Sequence, residues 1–147
     1  MSKPDNITRL LADSNRAGLH HLPAGCRAAV EQSASRAGFR LLTTDLSPCR
    51  SKTAALAALG RACAFPDWHG GNLDALLDAL CDPDWLPAPG HILLISGLDS
   101  LRQAAPDSLA VLLEVFSAAC DERRASGRPL WILIDTSVAG TNPFHKA

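Results

Sequence analysis

The chain has 147 residues, 47% of them hydrophobic and 20% charged, with a formal net charge of -1. That length suits one domain able to bury a real core without cross-links, and the composition argues against a largely disordered chain. No run of about 18 apolar residues occurs, so no membrane-spanning helix is expected, and the near-neutral charge gives no global case for nucleic acid or an anionic membrane.

Residues 1–16 are polar and mixed, and read as loosely held. Residues 18–22 have the composition of a short strand. Residues 24–36 are rich in Ala and read as a helix stopped by Gly38. Residues 39–46 follow as a strand, broken by Pro48. Ser51 is a candidate N-cap for a helix over 51–64, in which Leu56, Leu59 and Cys63 recur at helical spacing. Pro66 and the pair Gly70-Gly71 force a loop over 65–71. Asn72 caps a helix over 73–81, which Pro83, Pro87 and Pro89 end.

Residues 91–95 and 130–134 are continuous apolar runs, the pattern of strands buried on both faces. Between them lie a short helical turn over 98–104 and a helix over 108–126. The latter carries Leu109, Leu112, Leu113, Phe116 and Cys120 as one apolar stripe. The last dozen residues read as a tail. Alternating apolar strands and helices predict an α/β fold, a small parallel sheet of three to four strands packed by helices.

Five cysteines, an odd number without a C-x-x-C pair, argue against a disulfide framework or a structural zinc site. Reduced thiols, and an N-terminus without a basic segment leading into an apolar run, point to a cytoplasmic protein.

The charge is unevenly spread. Residues 62–101 contain no Lys or Arg but six aspartates: Asp67, Asp74, Asp78, Asp82, Asp84 and Asp99. On the 73–81 helix, Leu73, Leu76, Leu77 and Leu80 share one side. Asp74, Asp78 and Asp82 follow at i, i+4 and i+8 along a neighbouring edge. Like charges at that spacing cost roughly 0.2–0.5 kcal/mol per pair, and the later two stand toward the negative end of the helix dipole. Helix stability alone would not select this ladder; a partner supplying positive charge would. Trp68 and His69, in the loop ahead of it, give the composition of a protein-binding hot spot.

The stretch 65–80, Phe-Pro-Asp-Trp-His-Gly-Gly-Asn-Leu-Asp-Ala-Leu-Leu-Asp-Ala-Leu, resembles the signature of the barstar family. Residues 111–116 and 131–134 resemble that family's last helix and last strand, so the likeness spans about the last two-thirds of the chain. It implies an intracellular inhibitor, not an enzyme, of a microbial guanyl-specific ribonuclease of the barnase type, with the aromatic loop and acidic helix plugging the nuclease active site. Asp78 matches the principal phosphate-mimicking carboxylate, Asp74 an acidic interface residue, Trp68 an aromatic interface position and Gly70 the glycine of the loop turn; Asp82 extends the ladder. No cofactor and no direct nucleic-acid contact is implied.

The chain departs from the family pattern at Ala118, Leu77, Gly71 and His69, where an acid, a Trp, an acid and a hydroxylated aromatic are usual. Residues 1–37 read as an N-terminal extension, which could add a strand–helix unit, ahead of a barstar-like domain over 38–147. The alternative keeps the fold but makes it an adaptor or regulator for a different basic protein.

An enzyme would need His69 and an aspartate with Cys63 or Cys81 as a nucleophile–base set, for which no local signature exists. His20, His21 and His91 lack the spacing of a metal site, and Gly70-Gly71 lacks the lysine of a phosphate loop. Trp85 and Trp131 read as packing residues.

Overall fold

Two apolar runs that each face both ways organise the molecule. The computed structural model describes residues 4–66, 68, 71–136 and 142–143. The elements in chain order are α1 (Pro4–Ala12), a 3-10 turn (Ser14–Arg16), β1 (Leu19–His21), α2 (Arg27–Ala37), β2 (Arg40–Asp45), α3 (Lys52–Cys63), α4 (Leu73–Cys81), β3 (His91–Ser96), α5 (Leu98–Ala104), α6 (Pro106–Ala125), β4 (Leu130–Ile134) and β5 (Asn142–Pro143). The sheet runs β2-β3-β4-β1-β5 with every pairing parallel. It is the expected α/β arrangement: four strands, with a two-residue fifth at one edge.

Successive residues of β3 and β4 point to opposite faces. Leu93 and Ile95 of β3, with Leu130, Ile132 and Ile134 of β4, enter a core shared with α3, α4, α5 and α6. Ile92 and Leu94, with Trp131 and Leu133, enter a second core covered by α1 and α2. The register places Leu93 between Leu42 of β2 and Ile132 of β4, which keeps the apolar rows continuous. Both strands are therefore buried from end to end except at Ser96, the last residue of β3, as parallel strands covered on two sides must be.

Two sequence expectations are corrected here. Residues 4–16 are not loose: α1 packs on α2, and Ile7 and Leu11 are each only 1% exposed. With Leu10 they stand at i, i+3 and i+4, on one helix face against Val30 and Ala34, a helical stripe only nine residues long. The last dozen residues are not wholly a tail. Asn142 and Pro143 pair with His20 and His21, using the edge that β1 would otherwise leave open.

Helix boundaries follow local chemistry. α2 begins at Arg27, after Gly25 at φ +84°, and ends at Gly38 in the left-handed region. α6 begins at Pro106, whose missing N–H costs nothing at the first helical position. No helix among the described residues is long and apolar enough to cross a membrane.

Candidate functional site

α4 is a short helix set by its ends and one face. The Asn72 side chain accepts a hydrogen bond from the Ala75 N–H at 2.8 Å, an N-cap as the sequence suggests. Leu76 and Leu80 are fully buried, and Leu73 and Leu77 pack at the margin of the core. This orientation leaves Asp74, Asp78 and Asp82 exposed along one edge. Ion pairs among the described residues join Arg16 to Asp13, Arg27 to Glu31, Arg102 to Asp99 and Arg124 to Asp121. Among those residues none reaches the ladder. Asp82 accepts the Asp84 N–H at 2.9 Å, which shapes the turn without neutralising the charge.

The dipole conflict of an acidic helix end is answered at the backbone instead. Arg123 Nη1 donates to the Leu80 carbonyl at 3.0 Å, and Arg128 Nη2 donates to the Cys81 carbonyl at 3.0 Å. Two guanidinium groups thus meet the negative end of α4 while the carboxylates stay free of them. Arg123 and Arg128 lie more than 40 residues away in sequence; Arg123 is marked there only as part of the basic last turn of α6, and Arg128, beyond the helix end, is not marked at all.

Arg123 is 1% exposed, and all its partners are uncharged. Its Nε donates to the Arg128 carbonyl at 2.7 Å and its Nη2 to His91 Nδ1 at 2.7 Å. A guanidinium only donates, so Nδ1 accepts and the ring proton sits on Nε2, which donates to the Leu86 carbonyl at 2.7 Å. Burial, with Arg123 beside it, pushes His91 down to about 4, and burial lowers Arg123 to about 10. Trp85 stacks on His91 at 4.6 Å, and its Nε1 donates to the Cys63 carbonyl at 2.8 Å. Trp85 and Trp131 are packing residues, as expected.

Beside the ladder lies a cleft of about 310 Å³, bounded by Phe65, Pro66, Trp68, Asp78, Asp82 and Trp85. Trp68 is half-buried, and its Nε1 donates to the Leu56 carbonyl of α3 at 3.0 Å. The structure therefore brings Asp74, Asp78, Asp82 and Trp68 to one side of the molecule. His69, Gly70 and Asp67 lie outside the described residues. Ala118 is exposed on α6, and Leu77 lies against the core.

Nucleophilic chemistry finds little support. Burial pushes the Cys63 and Cys81 thiols up to about 12, where neither offers a thiolate at neutral pH. His20 belongs to the Trp131 side of the sheet and His91 to the Trp85 side, so these rings cannot share a ligand. Among the described residues no three His, Cys, Asp or Glu side chains are placed to hold a metal.

Solvent-facing carboxylates and the Trp68 ring thus stand beside one cleft. The profile of the family described as Barstar (barnase inhibitor) matches residues 39–135. The chain belongs to the barstar family. Among curated proteins none matches it. In fold, the chain is similar to the Aeropyrum pernix ORC2 protein, solved as ADPNP–ADP complexes, with a TM-score of 0.62 at 14% identity over 92% of this chain and 40% of that one. It is also similar to Drosophila ORC bound to DNA, with a TM-score of 0.56 at 18% identity over 97% of this chain and 37% of that one. The chain spans about two-fifths of the length of those proteins, and at these identities the likeness is one of fold. It takes in the N-terminal elements that the barstar match leaves out.

Proposed function

We propose that the chain is an intracellular inhibitor of a guanyl-specific ribonuclease of the barnase type, blocking the active site with the edge of α4. The observation that carries this reading is the exposed ladder Asp74, Asp78 and Asp82, which no ion pair among the described residues neutralises. A nuclease that binds RNA phosphates gathers Arg, Lys and His in a cleft. Carboxylates on a rigid helix can take the place of those phosphates, through short charge-assisted bonds that are often bidentate with Arg.

Asp78 is the central contact, Asp74 and Asp82 stand one turn before and after it, and Trp68 borders the adjoining cleft. His69 and Gly70 belong to the same interface by the family pattern. With Ala118 in place of an acid on the last helix, the interface depends more heavily on α4 itself. The cleft joins aromatic walls to two carboxylates, a setting that suits a guanidinium or imidazolium side chain of the partner.

The test is inhibition of barnase by the purified chain. The expected result is suppression near one-to-one stoichiometry, with association slowing as salt rises. Asp78→Ala should fold normally and lose most of the suppression. An Asp78→Ala protein that inhibits as well as its parent overturns the site. No inhibition by the parent, together with recovery of a basic non-nuclease partner from the source cell, would favour the adaptor reading.

A further inference from the structure

Gly60 stands inside α3, where glycine costs about 1 kcal/mol relative to alanine. The reason is Trp68. A methyl group at Gly60 would overlap indole Cδ1 and Nε1, and one at Gly71 would overlap Cη2 and Cζ2. Gly71 also adopts φ +45°, a region that a side chain disfavours. Two glycines 11 residues apart thus form the walls of a single slot, and one indole fills it. Phe65 closes a further side, with its ring centroid 5.2 Å from that of Trp68. The Nε1 bond to the Leu56 carbonyl pins the ring to α3 itself.

We propose that Trp68 is a positioning residue, fastening the connection between α3 and α4 so that Asn72 and the carboxylate ladder are held ready before a partner arrives. This rests on the reading of α4 as the partner-binding element. Residues 64–72 make that connection, and Trp68 is its midpoint. Gly71, one wall of the slot, directly precedes the residue that caps α4. A connection ordered in advance loses less conformational freedom on binding.

The two roles open to Trp68 separate cleanly. A contact residue needs only its indole, whereas a positioning residue needs its seat. Gly60→Ala keeps the indole and evicts it; Trp68→Ala removes it without inserting anything, so a folded variant is available if Gly60→Ala misfolds. Barnase binding and amide hydrogen exchange at Gly71 and Asn72 are measured for the parent, both variants and the double variant.

Each single variant should speed exchange and weaken binding by a similar factor, about tenfold, the cost of re-ordering roughly one residue. The double variant should bind no worse than either, because both changes break one seat. A Gly60→Ala protein that exchanges and binds like its parent overturns the proposal, as do losses that add in the double variant. If the parent does not bind barnase, the inhibitor reading falls. The exchange data still judge the seat, and unchanged exchange in both variants refutes it.

Discussion

Arg123 and His91 share a hydrogen bond of 2.7 Å inside the molecule, a guanidinium donating to an imidazole that must be neutral to accept it. The pair joins α6 to β3 behind the acidic helix, and through Leu80 it holds the C-terminal end of that helix. An added proton on His91 would remove the acceptor and set a second positive charge against the first.

The pair therefore makes stability depend on pH. The folded state lowers His91 from 6.5 to about 4, so between those values the unfolded chain carries a proton that the native one refuses. Stability is full above pH 6.5 and falls as the pH drops toward 4, by on the order of 3 kcal/mol for this group. His91→Gln can accept from Arg123 without titrating. Urea midpoints from pH 4.5 to 7 should show a shallower slope for His91→Gln than for the parent; equal slopes would show that His91 does not titrate against folding.

Removing the guanidinium should cost more than adding that proton. Arg123→Met strands the Leu80 carbonyl and His91 Nδ1 in the core, at about 1–3 kcal/mol for each buried group left unmet, and frees the half-buried Arg128 carbonyl as well. Chemical denaturation should show a loss of at least about 3 kcal/mol, with α4 amides exchanging faster than those of β4.

Asp78 should trade stability for binding. It has like charges one turn before and one turn after it on the same edge. Asp78→Asn relieves both repulsions, each worth roughly 0.2–0.5 kcal/mol, and should raise Tm slightly while weakening capture of a basic nuclease. A lowered Tm with binding intact would show that the aspartate serves the helix rather than a partner.

The N-terminal elements should be indispensable. Without α1 and α2, the faces of Ile92, Leu94, Trp131 and Leu133 would meet water. A chain shortened to residues 38–147 should be recovered as aggregate. Ile7→Ala in the full chain should cost about 2–5 kcal/mol, measured by denaturant titration.

The sequence made the central strands, the Asn72 cap and the acidic edge legible, because each is written in a few adjacent residues with a fixed period. It did not reveal what depends on distant partners. Gly60 looks like a flaw in α3 until Trp68 is set against it, and Arg123 looks like an exposed last-turn cation until Leu80, 43 residues earlier, is found on its guanidinium. Ile7, Leu10 and Leu11 stand at i, i+3 and i+4, a helical spacing that is present in the sequence but confined to a nine-residue segment, too short to count as a core helix until the surface it covers is known.

Ile92 and Leu93 are neighbours in sequence yet serve opposite cores. A backbone shift that loosens one must displace the other, so the two sides of the sheet cannot come apart in separate steps. The helices that carry the acidic edge and those that close the far face should melt in a single transition. Substitutions far behind the sheet would then be felt as a fraction of molecules whose carboxylate edge no longer exists.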